Sequence, residues 1–240
     1  MDEIIGHDWL DWLLNITVVL SVVGYIWKFV TIRSGMIKHF DINEGNQAKL
    51  IHGLKVSKAQ IADIQSSYNW DNYRWNENRI TEYMDVFFDN LTKHHRGQER
   101  SHRFWKELTR GQKVFWSYLA LEGEIDNGGL FQFLHNHPEH LFSARQVMVE
   151  LKQTKLLADY DIFLNEVEEK KWKIRWNIWQ SNNPFSSQDK QIKAFSRGYK
   201  IMESPKKIEE YFCTDDFKKT WHMAMSDYIE EHLEQYAQIV

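Results

Sequence analysis

Two glycines stand side by side at Gly128 and Gly129, between stretches whose apolar residues recur with helical period. Before them, Val114, Phe115, Tyr118, Leu119 and Leu121 suit one face of a helix from about Gly111 to Ile125, opened by Thr109. After them, Leu130 to Asn136 reads as a short second helix. A glycine pair in that setting demands a corner. Asn127 or Gly128 is placed to take the left-handed conformation that ends a helix, and Gly129 lets the next helix begin without a Cβ clash. The run Asp126-Asn127-Gly128-Gly129 also has the composition of a hairpin turn, but its flanks lack two-residue period, so a helix–corner–helix joint is predicted.

The rest of the chain continues in the same idiom. Ser57 and Gln60 form a capping-box pattern for a helix over Lys58 to Tyr68. Ile80, Met84, Phe87, Phe88 and Leu91 share a face of a helix from about Glu77 to Lys93. The basic run holding His94, His95 and His102 reads as a solvated connector, because no carboxylate or cysteine lies at metal-ligand spacing with them. Pro138 suits a helix start, and helices follow over Ser143 to Lys152 and Leu156 to Trp179. Ser187 caps a helix stopped at Arg197 and Gly198. Ser204 and Pro205 open another, and Thr214, Asp215 and Asp216 open a last helix reaching about Ala237. No stretch alternates as a strand. With 3 Pro among 240 residues and 11 Trp as large buried anchors, the fold class is all-α, a multi-helix globular domain.

One segment stands outside this pattern. Trp12 to Ile32 carries a single charge, Lys28, near its end, and about 20 apolar residues suffice to cross a bilayer. Acidic residues precede it and Lys28, Arg33 and Lys38 follow. The expectation is a single-pass inner-membrane protein with its N-terminus outside and its C-terminal domain in the cytoplasm. The domains are then an extracytoplasmic stretch 1–11, a transmembrane helix 12–32 that meets the lipid bilayer, a juxtamembrane linker 33–76 holding one helix, and a helical domain 77–240. Thr17, Ser21 and Gly24 fall on one stripe of the span, the spacing that lets two membrane helices approach closely in a homo-oligomer. The lone cysteine, Cys213, excludes an internal disulfide.

Around the glycines the residues are Glu124, Asn127, Gly128, Gly129, Gln132, Phe133 and Asn136. Gln132 and Asn136 share a helix face, and with Glu124 and Asn127 they are expected to form a structural polar network that locks the joint. This pattern resembles the signature of the DMP19-like family of helical domains, also called DUF4375, with Leu130 in place of the usual Phe. The closing segment from Cys213 to Tyr236 is similar to that family's last helix. The resemblance covers roughly Glu77 to Val240 and implies a non-enzymatic helical module with no cofactor and no metal. The family's name comes from a member that mimics DNA with an acidic surface. Here 28 basic residues face 30 acidic ones from Gly35 onward, a balance that suits neither a phosphate mimic nor a nucleic-acid binder.

The function expected is therefore a membrane-anchored protein-binding module, with Trp70, Tyr73 and Trp75 as candidate anchors for a protein partner. One alternative is a defence or toxin effector that oligomerises through its membrane helix. A second is a metal-dependent hydrolase built from Glu122, Glu124, Asp126, His135, His137 and His140. Against it, His135 and His137 point to different sides of a helix, and Pro138 places His140 in a new one.

Overall fold

Helix α4, Arg110–Gly128, is the axis of the structure, and its sequence explains why. It is apolar or small around most of its circumference, from Val114, Phe115 and Trp116 to Leu121 and Ile125, and such a helix is stable only when surrounded by others. Its start is firmly set: Thr109 Oγ1 accepts from the Gln112 amide while Gln112 Oε1 accepts from the Thr109 amide, a complete capping box.

The computed structural model describes residues 39–44, 54–88, 92 and 101–240. Before α4 come strand β1 (Lys55–Val56), helix α1 (Lys58–Ser67), helix α2 (Arg79–Tyr83) with a π-helical continuation Met84–Phe88, and helix α3 (His102–Glu107). After it come α5 (Leu130–Asn136), a 3₁₀ turn Pro138–His140, α6 (Leu141–Glu150), α7 (Thr154–Glu169), α8 (Lys171–Ser181), α9 (Gln188–Lys200), α10 (Ser204–Phe212) and α11 (Asp215–Glu231). The chain closes with a 3₁₀ turn and strand β2 (Gln238–Ile239). Helices α5 and α6 pack on α4, α7 packs on α6 and α10, and α8 and α9 form a hairpin packed chiefly on itself.

The architecture is all-α, with one departure. Strands β1 and β2 form a parallel pair, Lys55 opposite Gln238 and Val56 opposite Ile239. Two residues are too few for an alternating pattern to show in sequence, and the pairing spans nearly the whole described chain. It follows that residues 54–76 are no linker. Phe40, Ile42, Val56, Ile61 and Ile64 are buried in the same core as Trp105, Tyr118 and Trp221, and His39–Val240 is one compact unit.

Other boundaries also move. The basic connector ends sooner than expected, because Ser101 Oγ caps α3 and Phe104 and Trp105 are buried, Trp105 stacking on Phe40 at 4.6 Å. The single helix expected over Leu156 to Trp179 breaks at Lys170. Its first half packs on α6 and α10 and its second on α9, two directions that one straight helix cannot serve. Helix α9 runs through Gly198 instead of stopping there. Gly198 sits beneath Phe131, where an added Cβ would lie 2.3 Å from the ring. Ser187 makes no side-chain cap.

Among the described residues no helix is long and apolar enough to cross a membrane. The expected span Trp12 to Ile32, with Thr17, Ser21 and Gly24, lies outside the described residues, as do His94 and His95.

Candidate functional site

The glycine joint divides its labour differently from the expectation. Helix α4 continues through Asn127 and Gly128, and the turn falls on Gly129, at φ 89° and ψ 176°. That region is essentially closed to residues with a Cβ. Glu209 of α10 also reaches Gly129. The Glu209 carboxylate accepts from the Leu130 amide at 2.7 Å, and a Cβ on Gly129 would lie 2.3 Å from Glu209 Oε1. Tyr199 donates to the other Glu209 oxygen at 2.6 Å. Gly128 is less constrained: a Cβ there would lie 1.9 Å from Gln132 Oε1, the far end of a flexible side chain.

Glu124 gathers the amides. Its Oε2 accepts from Gln132 Nε2 at 2.8 Å and Asn136 Nδ2 at 2.9 Å, and its Oε1 lies 3.1 Å from His137 Nε2. Phe133 is fully buried beneath the same turn. Asn127 does not join: its side chain is exposed and makes no hydrogen bond to any described residue, so the expected four-membered network has Glu124, Gln132 and Asn136 only, extended by His137. His135 turns the other way, to Ser181 Oγ at 2.8 Å and Asn182 Nδ2 at 2.9 Å, tying α5 to the end of α8.

Two residues to either side of Glu124 on α4 lie two members of a second polar cluster. Glu122 and Asp126, four apart on α4, face Lys218 and His222, four apart on α11. Lys218 Nζ lies 2.9 Å from Glu122 Oε1 and 2.7 Å from Asp126 Oδ1, and His222 Nε2 is 2.5 Å from the same Glu122 oxygen. Tyr73 completes it with its hydroxyl 3.0 Å from His222 Nδ1. Burial pushes the Glu122 carboxyl up, but the hydrogen bond and charge of His222 and the charge of Lys218 outweigh it and hold the group at about 2. Every member is satisfied by another, the arrangement of a partly buried ion cluster that specifies packing, open to solvent at Asp126. Sequence reading passed over Lys218, His222 and Glu209. The facing pairs of i,i+4 charges on α4 and α11 were the available signal.

The histidines after the joint do converge in part. The 3₁₀ turn at Pro138–His140 folds His140 back toward His137 instead of carrying it away, which corrects the separation expected from the proline. His137, Glu139 and His140 offer one donor atom each within 4.8 Å of one another. His135, Glu122 and Asp126 take no part, so the six-residue hydrolase set does not assemble.

The exposed aromatics lie elsewhere. Tyr73 is engaged with His222, and Trp70 lies under the Arg79 guanidinium, 5.5 Å from its ring centre. Of the three expected anchors only Trp75 is well exposed. The hairpin α8–α9 presents more: Trp172 is 71%, Trp176 57% and Phe185 84% exposed. Trp176 stacks on Trp179 at 5.0 Å. Between the two helices runs a groove with two lobes of about 270 and 550 Å³, both lined by Gln180 and Arg197, with Lys190 and Lys193 at one end and Lys173 and Lys200 at the other.

The family model described as DMP19-like protein matches residues 106–236, more than half of the 240-residue chain and the whole of the joint. Comparison with curated proteins and with solved structures gave no match for either.

Proposed function

We propose a non-catalytic role, on the premise that this chain belongs to the DMP19-like family. Its helical domain is a protein-binding module that engages an acidic, partly apolar protein surface through the outer face of α8 and α9. One observation carries this reading: three large aromatics, Trp172, Trp176 and Phe185, are left exposed among Lys173, Arg175, Lys190, Lys193 and Lys200. Exposed Trp beside Arg is the composition of an interface centre, and the surrounding Lys side chains suit its polar rim. The near-neutral charge of the whole chain favours a protein over a nucleic acid as the occupant. The apolar run Trp12 to Ile32 is the reason for placing the module at the inner membrane, anchored once with the helical domain in the cytoplasm, and the Thr17, Ser21 and Gly24 stripe for proposing that the anchors pair.

The face carries its own reporters. Lysine-reactive crosslinking in native membranes, read by mass spectrometry, is expected to join Lys173, Lys190, Lys193 or Lys200 to a protein with an acidic surface. Crosslinks confined to Lys58, Lys106 or Lys219, on other parts of the domain, contradict the assignment. Tight binding of a DNA duplex by the same face at physiological salt contradicts the choice of a protein partner.

A further inference from the structure

We propose that His137, Glu139 and His140 form a divalent transition-metal site, best matched to Zn²⁺, with Glu124 orienting one of its ligands. The inference stands independently of the partner surface.

Two imidazoles and a carboxylate are a recurring zinc ligand set, and three such ligands leave a fourth position for water. The spacing fits. Donor atoms about 2.0–2.2 Å from a tetrahedral ion stand about 3.3–3.6 Å from one another. His137 Nδ1 lies 3.7 Å from Glu139 Oε1, and all three residues place a donor within 4.8 Å of the others. The His137–Glu139 pair needs a few tenths of an ångström of side-chain movement to reach that spacing, and a pair at the 4.8 Å limit about 1.2 Å. Glu139 Oε1 is itself buried without a hydrogen-bond partner, an arrangement that leaves a carboxylate oxygen wanting a cation.

The surroundings orient both rings. Glu124, already accepting from Gln132 and Asn136 on one oxygen, faces His137 Nε2 with the other at 3.1 Å. A proton on Nε2 directed at that carboxylate leaves the lone pair on Nδ1, the nitrogen beside Glu139. This is the carboxylate–histidine–metal relay by which metal sites fix tautomer and ring orientation. His140 Nδ1 lies 3.2 Å from Ser143 Oγ and 3.3 Å from Ser117 Oγ, two hydroxyls that fix the orientation of its ring. The turn at Pro138–His140 holds the three ligands on one short, packed segment: the Phe40 amide donates to the Glu139 carbonyl at 2.8 Å, and Phe40 and Trp105 lie edge-on to the His140 ring. On this reading the amide motif of the joint serves the site as well as the fold.

The test is Zn²⁺ titration of the full chain, made without a histidine tag and stripped by chelator, in competition with a chromophoric chelator. One equivalent is expected to bind at micromolar or tighter affinity. Glu139→Gln, which keeps the side chain's size, and His137→Ala should each weaken it at least about tenfold, and Glu124→Gln by about 10–100-fold. Stripped Glu139→Gln protein whose circular dichroism matches the stripped parent keeps the comparison free of folding defects. A parent chain that takes up no Zn²⁺ at micromolar concentration overturns the proposal. So does uptake that Glu139→Gln and His137→Ala leave unchanged.

Discussion

Gly129 and Glu209 show how much one backbone position can demand. With its positive φ and a carboxylate at 2.3 Å from any Cβ, Gly129→Ala suffers twice, from backbone strain and from displacing Glu209 off the Leu130 amide. We expect a loss of about 3 kcal/mol, which for a domain of this size is a fall in Tm of roughly 6–12 °C. Gly128→Ala should cost far less. The atom it meets is the end of a flexible glutamine, and alanine regains up to about 1 kcal/mol of helix propensity. Thermal unfolding of the two variants side by side checks this, and equal losses contradict the division of roles. Gln132→Ala, which strips a hydrogen bond from Glu124, is expected to cost about 1 kcal/mol, whereas Asn127→Ala should be near neutral. The need for a corner here was legible, because paired glycines between helical periods have few other uses. Which glycine turns was not, because Glu209 reaches it from 79 residues away from the amide it binds.

Helices in this chain borrow their ends from one another. Ser204 reads as the cap of α10, yet it is the helix's first residue, and the cap is Glu166 from α7. That carboxylate accepts from the Glu203 and Ser204 amides at 3.0 and 2.9 Å, from the Ser204 hydroxyl, and from Lys170 Nζ at 2.6 Å. Burial raises its pKa, but these donors outweigh it and hold the group at about 2, against an ordinary 4.5. A carboxyl whose folded pKa is depressed stabilises the fold fully above its unfolded value and loses that contribution as pH falls through the folded value. Glu166 and Glu122 thus predict acid destabilisation that begins near pH 4.5 and is complete near pH 2. Glu166→Gln should lower stability by about 2 kcal/mol at pH 7 and by much less near pH 2. Chemical denaturation at both pH values measures this, and an equal loss at each excludes the linkage. Helical period was legible throughout because it depends on neighbours three and four residues away. Caps supplied across the fold, and the break at Lys170 between two packing directions, leave no such local mark.

At the scale of the molecule, the fold sorts its unusual residues into separate tasks. The polar residues that look most chemical in sequence, Glu122 and Asp126, are consumed in a partly buried ion cluster with Lys218 and His222. Three of the exposed aromatics, Trp172, Trp176 and Phe185, lie on the α8–α9 hairpin, where the sequence offers only a Trp-rich helix with no sign of which face is bare. The all-α class was legible. The closure of β1 on β2 was not, since two residues carry no period. We propose that recognition resides on the α8–α9 face while the glycine joint holds the fold. The most direct test is the yield of the Lys173, Lys190, Lys193 or Lys200 crosslink in native membranes from a Trp172→Ala/Trp176→Ala chain. We expect yield to fall about tenfold or more with Tm unchanged, as for interface centres. A yield equal to the parent's contradicts the claim.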